Sequence, residues 1–187
     1  MLMFSMSVSI DGYVNDRDGD FSWGAPSDEL FDFHLREVAG LGAYLLGRRL
    51  YETMRVWETD PAMRDTGPHI EFADVWDALP KVVFSRTLTA VPGAARLAET
   101  SLADEIVAAV GATGEPVSIG GADLAGQAIA LDLVDELRVY RCPVVVGGGT
   151  PYLPALDRPL AFDRVETRTF AESDVVFERY LRARRPR

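Results

Sequence analysis

An α/β domain is what the sequence predicts: a mixed, mostly parallel central sheet with helices on both faces and antiparallel C-terminal strands. Three observations predict it. Short apolar runs alternate with stretches of helical period from the N-terminus to Leu131. Several of those runs stop abruptly at glycine or a polar turn, as strands feeding helices do in open sheets. Beyond Leu137 come consecutive segments rich in β-branched and aromatic residues, the pattern of antiparallel strands. No repeat or linker divides the chain, so residues 1–187 are expected to form one domain of ordinary size.

The elements follow in order. Leu2 to Ile10 reads as the opening strand, with Asp11-Gly12 as its turn. Asn15 to Pro26, polar and containing glycine around Trp23, is a long loop. Ser27 is an N-cap, and Asp28 and Glu29 suit the positive end of the helix dipole. Leu30, Phe31, His34, Leu35 and Val38 carry one helical face until Gly40 ends it. Ala43 to Leu46 is a strand running into Gly47, and Arg48 to Met54 begins a short helix. Arg55 to Ile70 is a polar surface excursion. Phe72 to Leu79 is a turn or two of helix, stopped by Pro80. Lys81 to Ser85 is a strand, Leu102 to Val110 a helix and Val117 to Ile119 a buried strand. Gly120-Gly121 opens a helix through Leu131. Leu133 to Glu136 turns the chain with its acids in solvent. Leu137 to Val146, Leu160 to Phe170 and Val175 to Leu181 are the closing strands, and Gly147 to Gly149 is a tight turn.

Composition narrows the function. A domain this long buries roughly 70% of its unfolded surface, enough for a core without staples. The 29 acidic residues outnumber 19 basic ones, a formal charge of −10. Such a field repels phosphate backbones, so no nucleic-acid partner is expected and any phosphate ligand must be held by local donors. Cys142 is the single cysteine, read as an inert core residue, and His34 and His69 are the only histidines. An intramolecular disulfide and a multi-thiolate or His-rich metal site are thereby excluded. No run of about 18 apolar residues and no signal-peptide pattern occur, so no membrane partner and a cytoplasmic location are expected. Arg182 to Arg187 reads as a solvated basic tail.

Three segments share one design: Leu45-Leu46-Gly47-Arg48-Arg49, Val82-Val83-Phe84-Ser85-Arg86-Thr87 and Val117-Ser118-Ile119-Gly120-Gly121-Ala122. Each is a buried strand ending in a polar or glycine-rich turn. Ligands of open α/β sheets sit beyond such carboxyl ends. Helix N-termini there present unpaired N–H groups and partial positive charge, which suit phosphate. Glycine lets a ligand approach the backbone, and Arg48 and Arg86 add planar donor forks. Together they describe a bed for a dinucleotide. Neither G-x-G-x-x-G nor the Walker A pattern is present, so neither a Rossmann nor a P-loop site is indicated.

A family resemblance rests on segments that occur in order along the chain. They are Ser7-Val8-Ser9-Ile10-Asp11-Gly12-Tyr13-Val14, Leu46-Gly47-Arg48-Arg49-Leu50-Tyr51-Glu52 and Lys81-Val82-Val83-Phe84-Ser85-Arg86, then Ile119-Gly120-Gly121-Ala122-Asp123-Leu124, Leu133-Val134-Asp135-Glu136-Leu137 and Pro143-Val144-Val145-Val146-Gly147-Gly148-Gly149. The chain resembles the dihydrofolate reductase-like superfamily, with its three-layer α/β fold, and within it the C-terminal reductase domain of the riboflavin-biosynthesis protein RibD. The resemblance implies an NADPH-dependent oxidoreductase and a homodimer. Its most natural activity is that of 5-amino-6-(5-phosphoribosylamino)uracil reductase.

The resemblance also implies roles. Gly47 and Arg48 would lie beside the cofactor phosphates, with Arg48 near the adenosine 2′-phosphate. Ser85 and Arg86 would flank that phosphate and the adenine. Gly120 and Gly121, joined by a cis peptide, would sit under the pyrophosphate, and Asp123 and Leu124 would open the next helix against the cofactor. Backbone groups of Ser7 and Val14 would face the nicotinamide carboxamide. Two departures stand out. Leu50 replaces a threonine common in the family, removing one hydroxyl contact to phosphate. The zinc deaminase signature of the full-length riboflavin protein is absent, so the chain matches only the reductase half.

Hydride addition needs a proton for the partner atom. His34, in the middle of the apolar stripe of the first helix, is the candidate donor. Asp32 falls away from that stripe, and the lack of an inward carboxylate argues against true dihydrofolate reduction. Asp11 either reaches a substrate hydroxyl or simply forms the Asp-Gly turn. Trp23 and Trp57 either line a pocket for a small heterocyclic substrate or anchor their loops. No second phosphate site for a phosphoribosyl substrate is evident. The alternatives are a reductase of dihydrofolate, a pterin or another small carbonyl or imine, and a non-catalytic NADPH-binding protein.

Overall fold

The opening strand β1 (Leu2–Val8) lies inside an eight-stranded sheet in the computed structural model, which describes residues 1–183. After β2 (Tyr13–Asn15) come helix α1 (Asp28–Ala39), β3 (Ala43–Gly47) and the helices α2 (Arg48–Met54), α3 (Val56–Thr59) and α4 (Gly67–Ala78). Strands β4 (Lys81–Phe84) and β5 (Ala95–Leu97) precede α5 (Leu102–Gly111), β6 (Val117–Gly120) and α6 (Ala122–Ala130). Strands β7 (Glu136–Arg141), β8 (Thr150–Pro151), β9 (Phe162–Phe170) and β10 (Val175–Arg182) complete the chain. The sheet order is β5-β4-β3-β6-β1-β7-β10-β9. From β5 to β7 neighbouring strands run parallel, and β10 is antiparallel to both β7 and β9.

Side chains alternate between faces along each strand, and this divides the core into layers. Phe4, Leu45 and Ile119 point one way, against Ile106 of α5 and Leu124, Ala128 and Ile129 of α6. Leu46 and Val83 point the other way, against Leu35 of α1 and Phe72 and Trp76 of α4. Helices therefore cover both faces of a mixed, mostly parallel sheet, as the sequence predicts. Helix α1 starts at the predicted cap, where the Ser27 side chain accepts from the Leu30 N–H at 3.4 Å.

Several expectations are corrected. The 55–70 segment is largely helical: α3 and a 3-10 turn at Pro61–Arg64 lead into α4. Helix α4 starts at Gly67 because Thr66 accepts from His69 N–H and Pro68 occupies the first turn. Strand β7 ends at Arg141, since Pro143 has no N–H for the ladder, although Cys142 still donates to Val8 O at 2.8 Å. Cys142 is buried, as expected. The acids at the turn into β7 are not solvated. Asp135 accepts from the Leu2 N–H at 2.9 Å, and Glu136 is fully buried between Arg138 and Arg179. Strand β5 was not anticipated; three residues at a sheet edge leave too short a pattern to read. Arg182 is held by Asp132 at 2.8 Å, and the rest of the predicted basic tail, 184–187, lies outside the described residues. No helix among the described residues is long and apolar enough to cross a membrane, and no His/Cys/Asp/Glu group could hold a metal.

Two buried charges fasten the β4–α5 side. Lys81, the only lysine, donates to the carbonyls of Trp76 and Leu79 and lies 3.6 Å from Glu58, tying the end of α4 to β4. Glu105 accepts from Arg96 and from the N–H groups of Glu99 and Thr100, at 2.8 and 3.1 Å for the latter two. These donors, Arg96 foremost, hold its carboxyl at about 2, below its ordinary 4.5. A depressed acid contributes stability above its unfolded pKa and loses it as pH falls through the folded one. Glu105→Gln should therefore cost about 2 kcal/mol at neutral pH. In urea titrations the deficit should shrink between the ordinary carboxylate range and pH 2, where the native residue is itself about half protonated.

Candidate active-site cleft

Strands β3 and β6 are hydrogen-bonded neighbours, and each ends in a glycine turn that starts a helix. Gly47 is the N-cap of α2 and Gly121 the N-cap of α6; neither cap provides a side-chain acceptor, so the leading N–H groups stay available. Gly121 turns at φ +89°, and a Cβ there would stand 3.7 Å from the Gly47 backbone. The two turns thus abut. A Cβ on Gly120 would come within 2.4 Å of Leu50 Cδ2 and 2.9 Å of the Tyr44 ring. The expected cis bond is corrected: every peptide among the described residues is trans, and the left-handed backbone of Gly121 makes the turn by itself.

A cleft of about 1140 Å³ runs from these turns back along the α1 face of the sheet. Ser7, Val14, Gly47, Arg48, Ser85, Arg86, Gly121, Asp123 and Leu124 all line it, as do Trp23 and His34. Gly120 is buried beneath the turn. Asp11 is not brought to the cleft. Its carboxylate accepts from the N–H groups of Val146 and Gly147 at 3.2 and 2.8 Å, and the Ser9 hydroxyl and these donors hold its carboxyl below the ordinary range. Trp57 is not a lining residue either; it packs on Phe31 and Phe72. At the strand ends Arg48 pairs with Glu52 at 2.9 Å, and Ser85 Oγ accepts from the N–H groups of Thr87 and Leu88. Arg49 and Arg86 are exposed on the lining. Leu50, in place of a hydroxyl, forms apolar wall.

The inner half contains a residue that sequence reasoning missed. Glu37 of α1 faces the cleft, its side chain 12% exposed, which corrects the expectation that no carboxylate points inward. One carboxylate oxygen takes a hydrogen bond from Arg138 and the other from the Tyr140 hydroxyl. His34 Nδ1 lies 3.9 Å from Glu37, and the His34 ring is 4.3 Å from that of Tyr140. Arg138 continues through buried Glu136 to Arg179. The signals were the i,i+3 spacing of His34 and Glu37 and the alternation of Glu136, Arg138 and Tyr140. Tyr44, Ser5 and Ser118 complete the floor, and burial pushes the Tyr44 hydroxyl up. The arrangement has backbone donors and cations at one end and an imidazole with a fixed acid and phenol at the other. It is suited to orienting a charged cofactor beside a reducible group and supplying a proton there.

Comparison with known proteins agrees with this architecture. A riboflavin biosynthesis protein, provisionally assigned, from Shewanella sp. PV-4 superposes with TM-score 0.78 at 22% identity, over 98% of this chain and 99% of the other. A pyrimidine reductase-like protein of Corynebacterium diphtheriae gives TM-score 0.66 at 13% identity, over 98% and 92%. The diaminohydroxyphosphoribosylaminopyrimidine deaminase/5-amino-6-(5-phosphoribosylamino)uracil reductase of Thermotoga maritima gives 0.65 at 16%, over 98% of this chain and 56% of that one. The fold is thus of the dihydrofolate reductase-like class found in RibD-type proteins. Residues 1–176 match the RibD C-terminal domain, and the chain belongs to that family. In sequence it is 26% identical to uncharacterized protein YyaP of Bacillus subtilis (strain 168) over 177 residues, 93% of this chain and 91% of the other.

The packing at Gly120 makes a specific prediction. Gly120→Ala should destabilise by about 1–3 kcal/mol through overpacking against Leu50 and Tyr44. Adding Leu50→Ala should restore part of that loss in a double-mutant cycle read by urea unfolding.

Proposed function

We propose that this protein is an NADPH-dependent reductase acting on a small nitrogen heterocycle. One observation carries the reading: a single cleft joins the uncapped start of α6 and the arginine-bearing turns to His34, Glu37 and Tyr140. Tyr44 and Gly47 are three residues apart on β3, about 10 Å at the strand rise, so the two ends are separated by roughly a nucleotide's reach. The fit to a dinucleotide is supported by the unclaimed N–H groups of Ala122 to Leu124, which follow the Gly121 turn. Arg48, Arg49 and Arg86 would hold phosphates, and Ser7 and Val14 would meet the nicotinamide end.

NADPH, when bound, supplies the hydride. The protein's own residues do the remainder. The Phe21 and Trp23 side chains of the loop before α1 line the cleft and would exclude water from a bound substrate. His34 is the group placed to give the acceptor atom its proton, and Glu37, bonded to the Tyr140 hydroxyl, stands beside it at 3.9 Å. Family membership favours the phosphoribosylamino-uracil reaction in the name of the Thermotoga relative. The inward carboxylate favours the second reading, a pterin or another small imine or carbonyl.

Thermal unfolding with NADPH, NADH or no nucleotide tests the cofactor. Ligand at 100 times its Kd should stabilise by about 2.7 kcal/mol. NADPH should exceed NADH, and Arg48→Ala or Arg86→Ala should narrow that gap. No response to either nucleotide would defeat the reading. His34→Gln should leave NADPH binding intact and lower kcat/KM by about 10²–10⁴ in steady-state assays.

A further inference from the structure

We infer that Tyr44 orients the molecule to be reduced, its phenol donating a hydrogen bond to a carbonyl oxygen or unprotonated nitrogen on that molecule. The inference rests on the reductase reading and adds to it a contact from the sheet floor. Position carries it first. Tyr44 is in register with Ser118 of β6, yet its hydroxyl end leans over Gly120, two residues further along that strand. A Cβ on Gly120 would stand 2.9 Å from the Tyr44 oxygen, so the glycine leaves room for the phenol. Fully buried Trp76 props the ring in a T-shaped contact with centroids 5.9 Å apart. The phenol is thereby held where the strand-end turns meet the inner half of the cleft, and Tyr44 and Glu37 both line that cleft.

Hydrogen bonding carries it further. Tyr140 gives its proton to Glu37, Tyr152 to the Phe4 carbonyl and Tyr180 to Glu178. Tyr44 has no carboxylate or carbonyl partner among the described residues, only the Ser118 hydroxyl beside it. By donating to the phenol oxygen, Ser118 leaves the phenol proton for the cleft. The Tyr51 hydroxyl also lacks a partner, but Tyr51 does not line the cleft. A phenol at this depth ordinarily has its hydrogen bond satisfied, so an unclaimed proton on a cleft floor points to a ligand atom that accepts it. Burial, reinforced by the Glu37 charge, pushes the Tyr44 hydroxyl above its ordinary range, which makes it a donor at neutral pH. A phenol O–H lies in its ring plane, so the packed ring fixes its direction, whereas the Ser5 and Ser7 hydroxyls turn freely. Tyr44 keeps its proton throughout and sets only the angle of the bound molecule.

The test uses the full chain with NADP⁺ bound, so that no hydride is transferred. Its probes are acetophenone and α-methylstyrene, which match in shape and differ by C=O against C=CH₂. Calorimetric titration gives the ratio of their Kd values in the wild type and in Tyr44→Phe, which removes one oxygen and keeps the ring on Trp76. The wild type should prefer the ketone, and Tyr44→Phe should cut that preference by about fivefold, which is about 1 kcal/mol. The infrared carbonyl stretch of the bound ketone should lie lower in the wild type than in Tyr44→Phe, reporting the hydrogen bond itself. An unchanged ratio or an unchanged stretch overturns the inference, as does a failure of acetophenone to bind at its solubility limit. If Tyr44→Phe does not fold, the wild-type stretch decides alone: it should lie below that of the ketone in hexane, and a stretch at the hexane value overturns the inference. A normal NADPH response with any of these contrary results removes only this inference, whereas loss of the NADPH response in the wild type removes the reductase reading.

Discussion

The closeness of two parallel strands ending at one level is the constraint on which the site depends. Strands β3 and β6 pair from Ala43↔Val117 to Leu46↔Gly120, and both then turn through glycine into a helix. Parallel neighbours are about 4.8 Å apart, and at these turns a Cβ on Gly120 would run into Leu50 and Tyr44 while one on Gly121 would touch the Gly47 backbone. Gly120 admits Leu50 and Tyr44 from above, and Gly121 supplies the left-handed turn that aims α6 back across the sheet. The same small space sets the starts of α2 and α6 side by side. Donor groups of both helices then converge without any acceptor of their own.

The second organising feature is the polar band beneath α1. On the far face of the sheet Phe4, Leu45 and Ile119 make a continuous apolar contact with α5 and α6. On the near face β1 and β6 present Ser5 and Ser118 and β7 presents Glu136, Arg138 and Tyr140, which cannot be sealed by an apolar helix without losing their partners. Helix α1 meets them with Glu37 and His34, and the space left between becomes the inner cleft. The band is itself satisfied: Glu37, Arg138, Glu136 and Arg179 form an alternating chain of charge. Each carboxylate there has a guanidinium partner, which is the condition for keeping such groups in a half-buried layer.

The layer order and the strand-end turns were legible because their causes are local. Ser27 caps α1, and Gly47 and Gly121 mark strand-to-helix turns within a few residues of sequence. The strand-end half of the cleft is built from those turns, so its lining residues could be read from the sequence. Glu37 could not be found the same way, since Arg138 and Tyr140 lie 101 and 103 residues away. Glu136 likewise read as a turn acid because its partner Arg179 sits on a strand 43 residues later. Asp11 shows the converse: a polar residue beside a strand end looked available for substrate, yet long-range backbone donors at Val146 and Gly147 claim it. Short-range caps went unread at Asp60-Pro61 and at Thr66-Gly67-Pro68, where a polar context hid two helix starts.

The proposed reading places a reduced nicotinamide at the part of the cleft lined by Ser7, Val14, Trp23 and His34. Sensitised fluorescence tests it most directly. Tryptophan excitation of the NADPH complex should produce nicotinamide emission, and Trp23→Phe should reduce that emission with little change in nucleotide affinity. Tight NADPH binding with no sensitised emission, or with emission indifferent to Trp23, would contradict the account and move the nicotinamide out of the cleft.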